Sequence, residues 1–429
     1  MIKKLAIQGL YGRFAYNLNF KKPGGITIIT GPNGYGKSTI LRIIKALSDG
    51  DFDYILRLDF TQLRFNNEVG SGFQILKCNE GLEINGEMFD SACFINKKTI
   101  MKDFYKNYIN IYNYAMLDHL EDEIKLSDKF VDIKNELYKS NYVDSKEFVE
   151  KTDRLHEVKN NIRKQIGSVK LIQEQRLIRI NSKKTISENS SDKSENETIN
   201  FVNELPKRFV KQFSDLAAQY STVANKLDSS YPNRLFDTER GIMKDEYAIK
   251  VEEMQFKVRR LSKYSISELQ TISSRDFKNE YAKALKVYFD DFDAKYSVYN
   301  GFIEKLDIFT TIINSRLRFK HIEISGKSGI VVVDDASPNG QLSLSDLSSG
   351  EKQEIVLFYE LIFETPNSTL LLIDEPEISL HIAWQKMFMD DLIKIADYKG
   401  IKAIVATHSP QILNGHWENQ IDLGELYES

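Results

Sequence analysis

Apolar residues at the start of the chain fall into short runs separated by polar turns. Residues 4–8, 16–20 and 25–30 form three such runs, and the third contains the continuous segment ITIIT. A continuous β-branched run is typical of a buried strand in a parallel sheet. It leads directly into GPNGYGKSTILRIIKALSDG, where apolar residues recur at helical spacing: Ile40, Leu41, Ile43, Ile44 and Leu47. The pattern predicts a strand, a glycine-rich turn and a helix in succession.

The segment that follows the predicted helix alternates apolar and polar positions. Residues 59–65, 73–78 and 88–95 show this alternation, and the turn sequences NEG and ING lie between the second and third segments. Alternation broken by tight turns predicts antiparallel strands that bury one face. We therefore expect an antiparallel patch after the first helix.

From about residue 99 to residue 316 the pattern is mostly helical and polar. SVKLIQEQRLIRI interrupts it as a strand, and residues 181–200 are nearly free of apolar side chains. Such a polar segment predicts a flexible loop. Two later series of residues step by four and three, which predicts two helices packed as a short paired arm. The series are Tyr247, Val251, Met254, Val258 and Leu261, and then Tyr281, Leu285, Tyr288 and Phe292.

The last hundred residues return to alternating strands and helices. Sheet-like sequence occurs at 318–324 and 330–333, and TLLLIDEP, a helix at 384–395 and the strand IKAIVAT follow. The two ends of the chain read as halves of one α/β domain that a helical insertion splits.

Composition narrows the class of protein. Of the 429 residues, 28% are charged and 41% are hydrophobic, and the formal net charge is −4. No global basic field favours nucleic acid or membrane. Two cysteines, Cys78 and Cys93, form neither a disulfide framework nor a metal quartet. Without a signal-peptide pattern or a long apolar run, we expect a cytoplasmic protein without membrane contact.

GPNGYGKST at residues 31–39 matches the phosphate-binding pattern G-x-x-x-x-G-K-[ST]. Its glycines let backbone N–H groups wrap a phosphate, Lys37 reaches the β- and γ-phosphates, and the Ser38 hydroxyl ligates Mg²⁺. The flanking strand and helix argue against a chance match. The candidate nucleotide-binding residues here are Asn33, Gly34, Gly36, Lys37, Ser38 and Thr39.

LLLIDEP places two acids where an apolar strand ends. Open α/β sheets bind ligands at the carboxyl ends of their strands. Asp374 is therefore a candidate Mg²⁺ ligand, and Glu375 is a candidate general base that polarises the attacking water. Solvated acids at a strand end would explain the position, but not its pairing with a phosphate-binding loop.

Two further strand ends carry polar candidates. ATHSP places His408 where it can hydrogen-bond the γ-phosphate. VKLIQEQR ends a strand at Gln173, a candidate ligand of the metal or of the attacking water, and Gln175 is an open alternative.

LSSGEKQ, residues 347–353, is a hydroxyl-rich turn that enters a helix. Alone, it reads as an ordinary N-cap formed by Ser348 or Ser349. The order GPNGYGKST, LIQ, LSSGEKQ, LLLIDEP, EISLH and ATHSP nevertheless resembles an ABC-type ATPase head. That family has an α/β P-loop fold with a mixed sheet and an antiparallel subdomain. Its signature loop crosses a head-to-tail dimer and caps the γ-phosphate of the partner's ATP, which implies this role for Ser348, Gly350 and Glu351.

The helical insertion resembles that of the RecF, SMC, Rad50 and overcoming-lysogenization-defect group. GLYGRFAYNLNF followed by ITGPNGYGKSTIL most resembles the ATPase subunits of bacterial anti-phage systems such as Septu and PARIS. This resemblance implies ATP and Mg²⁺ as cofactors and hydrolysis of ATP to ADP and phosphate. It also implies a homodimer or higher oligomer that closes on ATP and switches a separate effector nuclease, with DNA or a phage-derived molecule as trigger.

Two other functions stay open. A DNA repair ATPase of the RecF or SMC kind would clamp duplex DNA, using the basic stretches KRFVK at 207–211 and KVRRLSK at 257–263. Solvated helix faces, balanced by nearby acids, are the favoured explanation of each stretch. A transporter ATPase ranks third because it would lack the helical arm.

These readings divide the chain into six expected parts. They are an N-terminal lobe at 1–100, a first helical insertion at 101–166, a strand and glutamine loop at 167–180, a flexible loop at 181–200, a helical arm at 201–316 and a C-terminal lobe at 317–429.

Overall fold

The computed structural model describes residues 2–20, 22–94, 146–173, 178–180, 198–266 and 277–428. The chain forms two compact units. The first comprises Met1–Glu174, Pro366–Ile378 and Gln385–Ser429, and the second comprises Gln175–Thr365 and Ser379–Trp384. Within the described ranges, no helix is both long enough and apolar enough to cross a membrane.

The strands, in chain order, are β1 Ile2–Leu10, β2 Phe14–Asn19, β3 Ile26–Thr30, β4 Gln62–Asn67, β5 Gly72–Cys78, β6 Gly81–Ile84, β7 Glu87–Asp90, β8 Val169–Ile172, β9 Ile178–Ile180, β10 Thr198–Asn200, β11 Lys320–Ser325, β12 Gly329–Asp334, β13 Ser337–Leu342, β14 Leu370–Asp374, β15 Lys402–Ala406 and β16 Gln420–Asp422.

The helices are α1 Lys37–Asp49, α2 Phe52–Arg57, α3 Ser91–Phe94, α4 Lys146–Ile166, α5 Phe201–Asp237, α6 Lys244–Lys263, α7 Ala282–Asn314, α8 Ser349–Tyr359, α9 Ile382–Lys399, α10 Pro410–Leu413 and α11 Leu423–Glu428. A π-helical turn, Glu360–Glu364, continues α8.

A five-stranded parallel sheet organises the first unit in the order β16-β3-β15-β14-β8. All five residues of β3 are buried, as are the first four of β14. Strands covered on both faces favour such apolar runs. The prediction of a buried parallel strand at ITIIT is confirmed, and the carboxyl ends of β3, β14 and β15 lie at one edge.

A six-stranded antiparallel sheet, in the order β2-β1-β4-β5-β6-β7, belongs to the same unit. Its alternating side chains bury one face, as in Gln62–Asn67, where Leu63 and Phe65 point inward. These residues share a hydrophobic core with Ile40 of α1 and Leu155 of α4. The expected α/β class with an antiparallel subdomain is confirmed, and the parallel and antiparallel pairings lie in separate sheets.

Long helices dominate the second unit. α5 and α7 run antiparallel, because residues late in α5 contact residues early in α7 and the reverse. The contacting pairs are Arg234 with Asp291, Asp228 with Lys295, Tyr220 with Tyr299, Phe213 with Phe302, and Phe209 with Phe309. α6 lies along α7 in the parallel sense, with Lys257 on Asp293 and Arg260 on Asp307.

The predicted two-helix arm is only partly correct. Tyr247, Val251, Met254, Val258 and Leu261 are all buried on α6, as the spacing predicted. On α7 the prediction is correct at Phe292, which is buried, and wrong at Tyr281 and Tyr288, which are 54% and 40% exposed. α7 also buries Val287 and Phe289, which the spacing did not predict. The helix begins after Tyr281 and packs on α5 as well as α6, so its buried face is set by two neighbours.

The predicted flexible loop at 181–200 falls mostly outside the described residues, which resume at 198. Its last three residues form β10, antiparallel to β9, so the loop prediction is wrong there. Thr198 and Ile199 are β-branched and suit a strand.

Candidate nucleotide-binding site

The phosphate-binding loop connects the end of β3 to the start of α1. Gly34 and Gly36 have φ values of 84° and 85°, in the left-handed region that favours glycine. A Cβ on Gly36 would lie 3.0 Å from the Leu10 side chain. The left-handed turns and the close approach to Leu10 therefore require glycine at these positions, and the loop leads into the N-terminus of α1, where an anion is favoured.

Lys37 opens α1 and is 4% exposed. Its Nζ donates to the backbone carbonyls of Gly31 at 2.9 Å and Pro32 at 3.1 Å, and it lies 3.2 Å from His408 Nδ1. Burial lowers the pKa of Lys37, although nearby acids, first Glu375, oppose the shift. The ammonium group of Lys37 is therefore held inside the phosphate-binding loop.

Ser38 and Asp374 meet across the start of α1 and the end of β14. The Ser38 hydroxyl donates to Asp374 Oδ1 at 2.9 Å. A hydroxyl and a carboxylate are oxygen ligands of the kind that Mg²⁺ prefers, and this ion typically takes few protein ligands and completes its shell with phosphates and water. The two side chains fit a magnesium site. In the described part of the chain, no group of three or more His, Cys, Asp or Glu side chains could hold a metal.

Glu375 follows Asp374 with a φ of 44°, a left-handed conformation rare for a residue with a side chain. Its N–H donates to Ala406 O at 2.9 Å, which ties it to the neighbouring strand. Burial raises the pKa of Glu375, and Asp374 and Glu377 raise it further, against His408 and Lys37. A raised carboxyl pKa suits a general base.

His408 follows β15 and lies between the lysine and the glutamate. Its Nδ1 faces Lys37 Nζ, and its Nε2 lies 3.5 Å from Glu375 Oε1. Because an ammonium can only donate, the imidazole accepts at Nδ1 and carries its proton on Nε2.

One cleft of about 330 Å³ brings the phosphate-binding loop together with the strand-end residues. Its lining residues are Tyr11, Asn33, Gly34, Gly36, Lys37, Ser38, Thr39, Glu375 and His408.

A family model described as AAA ATPase domain matches residues 1–413. This chain belongs to the AAA ATPase domain family. A 73-residue stretch is 43% identical to the phosphonates import ATP-binding protein PhnC of Lactiplantibacillus plantarum. That match covers 16% of this chain and 28% of the relative, so the chain spans about a quarter of the length of PhnC.

Two solved structures are also similar. The Smc head domain of Pyrococcus furiosus, with an extended coiled coil bound to the C-terminal domain of ScpA, has a TM-score of 0.40 at 14% identity, covering 98% of this chain and 92% of that chain. The SMC head domain from Thermotoga maritima has a TM-score of 0.36 at 12% identity, covering 96% and 90%.

Two site residues of this member of the AAA ATPase domain family received no role from the sequence patterns. Tyr11, at the turn between β1 and β2, lines the cleft, and its hydroxyl lies 2.6 Å from Thr39 Oγ1. Its φ of 55° is left-handed. The sequence GLYG, with a tyrosine beside a glycine in a turn, is the feature from which this position could have been predicted. The second residue, Glu377, is the third acid of IDEPE and bonds the backbone at His408.

Gln173 is exposed and directly follows β8 of the ATPase sheet. Ile172 pairs in register with Ile373, so Gln173 comes level with Asp374 at the same edge. It is not among the residues that line the cleft. The alternative, Gln175, lies outside the described residues.

The signature-like stretch belongs to the second unit of the ATPase, where Ser348 caps α8. The Ser348 N–H donates to Glu351 Oε2 at 2.9 Å and the Glu351 N–H donates to Ser348 Oγ at 3.4 Å, which forms a capping box. The Ser348 hydroxyl also donates to Glu351 Oε2 at 2.9 Å. Burial alone would raise the pKa of Glu351, but bonds from Ser348 and Lys320 leave that pKa below its usual value. Gly350 lies in the first helical turn, and the Ser348 and Ser349 side chains are exposed. Within one protomer, this stretch acts as a helix cap.

A buried ion pair underlies the same helix. Arg316 and Glu354 form a salt bridge with side chains 1% and 3% exposed. Arg316 also stacks on Phe358 at 4.6 Å and donates to Ile312 O at 3.0 Å. The pair joins the chain just after α7 to the middle of α8.

Proposed function

We propose that this AAA ATPase hydrolyses ATP to ADP and phosphate with Mg²⁺ and acts as a dimerising switch for a separate effector. The observation that carries the hydrolysis is the Ser38–Asp374 contact at 2.9 Å, with Glu375 next in the chain. This arrangement supports a metal position beside a candidate base, directly at a phosphate-binding loop.

The proposed roles follow from these positions. Backbone N–H groups at Asn33, Gly34 and Gly36, with Thr39, surround the phosphates of ATP. Mg²⁺, held by Ser38, Asp374 and Gln173, would neutralise phosphate charge when bound. Together these residues account for the proposed contacts with the phosphates and with Mg²⁺.

Two side chains contact the reacting phosphate, and a third acts on the attacking water. Lys37 exchanges its bonds to the loop carbonyls for bonds to the β- and γ-phosphates. Glu375 accepts a proton from the attacking water, and its raised pKa supports this role. His408 donates through Nε2 to the γ-phosphate.

The switch depends on a second copy of the chain. Ser348, Gly350 and Glu351 would meet the ATP held by the partner, where a helix N-terminus favours the γ-phosphate. Exposure of Ser348 and Ser349 supports this, because neither side chain is covered within its own protomer. ATP would close the head-to-tail dimer and hydrolysis would reopen it. The helical arm at 201–316, one of the six expected parts of the chain, would transmit this opening and closing.

We assign the switch to anti-phage defence in the cytoplasm, with a nuclease as effector and DNA or a phage-derived molecule as trigger. The motif resemblance supports this assignment. A DNA clamp has less support, because three basic side chains of KVRRLSK are engaged by acids: Lys257 with Asp293, and Arg260 and Lys263 with Asp307.

Glu375→Gln tests the hydrolysis. It should bind ATP like the wild type but turn over about 10²–10⁴-fold more slowly, since a general base contributes that much. Glu80→Gln, an exposed carboxylate in the turn before β6, is the matched control and should be unchanged. Wild-type turnover by Glu375→Gln would refute the assigned base.

The effector is tested by affinity purification from native cells. Glu375→Gln bait should retain a nuclease subunit that Lys37→Ala bait releases, because only the former holds ATP. Identical partners on both baits would contradict an ATP-controlled switch.

A further inference from the structure

The turn that carries His408 is held by one carboxylate. Glu377 Oε1 accepts from the His408 N–H at 2.6 Å and from the Ser409 N–H at 3.1 Å. The Ser409 N–H is shared with Thr407 Oγ1 at 3.0 Å, so the His408 N–H is the bond that depends on Glu377 alone. Hydrogen bonds from N–H groups to a charged acceptor are stronger than neutral ones.

A glutamine from α9 completes the contact. Gln385 Oε1 accepts from the Ser409 hydroxyl at 2.6 Å, and its Nε2 lies 3.4 Å from the Glu377 carbonyl oxygen. Glu377, Ser409 and Gln385 thus form a closed ring of contacts around the turn. We call these three residues the turn clamp.

The placement of Glu377 indicates that it acts on the turn and not on the nucleotide. It does not line the cleft. Its Oε2 is buried and, among the described residues, has no hydrogen-bond partner. Burying such an oxygen costs free energy. The other oxygen, Oε1, makes both bonds to the turn.

We propose that Glu377 is a positioning residue that fixes His408 between Lys37 and Glu375, with Gln385 in support. This inference rests on the proposed ATP hydrolysis. Without the turn clamp, the backbone N–H of His408 loses its acceptor. The imidazole is then no longer fixed in the position where its Nδ1 lies 3.2 Å from Lys37 Nζ. A misplacement of about 1 Å can cost about 10²-fold in rate.

Three substitutions separate position from charge. Glu377→Gln keeps an acceptor oxygen at the same reach and should retain most of kcat. Glu377→Asp keeps the charge but withdraws the carboxylate by one methylene, and Glu377→Ala removes it. Both should lower kcat by about 10- to 100-fold while the Kd for ATP, measured by calorimetry, stays unchanged. Glu377→Gln and Glu377→Asp alone decide the point if Glu377→Ala does not fold.

The decisive measurement is a double-mutant cycle with His408→Ala. If Glu377 works through His408, adding Glu377→Asp to His408→Ala should cost no further rate, whereas independent effects multiply. Multiplying losses, or a Glu377→Gln variant as slow as Glu377→Asp, would overturn the inference. If wild-type protein hydrolyses no ATP, the proposed function fails instead, so the two failures are distinguishable.

Discussion

Glu375 should be a site where stability is given up for activity. Its φ of 44° places a side chain in the left-handed region, and the following Pro376 further disfavours helical backbone at this position. Glycine tolerates this conformation because it has no Cβ. Replacing Glu375 by glycine should therefore stabilise the fold while it removes the candidate base.

The size of the effect follows from a comparison with alanine. Glu375→Gly and Glu375→Ala both lack the carboxylate and differ by one Cβ, so their difference isolates the backbone. Left-handed backbone costs about 1–2 kcal/mol for a residue with a Cβ. For a unit of this size, that corresponds to a Tm about 2–8 °C higher for glycine than for alanine.

Differential scanning calorimetry of the nucleotide-free variants measures this difference. Ser368, with a φ of 57° in the turn before β14, provides the matched control. Ser368→Gly should exceed Ser368→Ala in Tm by a similar amount while ATP turnover persists in both. A Glu375→Gly protein no more stable than Glu375→Ala would refute the argument from backbone strain.

Three further outcomes are expected. Lys37→Ala should abolish ATP binding in calorimetry, because it removes the ammonium assigned to the β- and γ-phosphates; retained affinity would contradict that role. Because Glu375 must be ionised to act and burial raises its pKa, the acidic limb of kcat/KM should fall at a higher pH than for an ordinary glutamate; a limb at or below the ordinary value would be inconsistent. Glu354→Ala should destabilise the second unit by about 3–5 kcal/mol in denaturant unfolding, because it removes the carboxylate of the buried Arg316–Glu354 ion pair, whereas Arg316→Met with Glu354→Leu should recover most of that loss; equal loss in both proteins would contradict this.

The α/β ends of the fold could be predicted because their local patterns are strong. ITIIT and LLLID are apolar enough to specify buried parallel strands. Alternation from residue 59 predicted β4, β5 and β7 of the antiparallel sheet, although the end of the last segment forms α3. The cleft could be anticipated because strand ends converge at one edge of a parallel sheet. That rule brought Lys37, Asp374 and His408 together without any tertiary information.

The arm could not be predicted to the same degree. The stripe on α7 was misassigned because Tyr281 and Tyr288 read as apolar in a pattern but lie exposed. A helix with two neighbours buries more than one stripe, and sequence spacing alone does not say which neighbour wins. The pairing of α7 with α5, more than fifty residues upstream, is a tertiary choice of this kind.

The roles of two site residues could not be predicted from the sequence, for different reasons. Tyr11 lines the cleft from a turn, and the pattern of apolar residues does not predict its left-handed φ. Glu377 acts on backbone N–H groups thirty residues away, a relation that only the folded chain reveals.

Dimerisation driven by ATP should be visible in the mass of Glu375→Gln in solution. Light scattering should give a monomer without nucleotide and a dimer with ATP and Mg²⁺, since ATP is bound but not hydrolysed. Adding Ser348→Arg should keep ATP binding and abolish the dimer, because a charged, bulky side chain would block the partner's γ-phosphate. A mass that does not change with saturating ATP, or a dimer that Ser348→Arg leaves intact, would contradict the account.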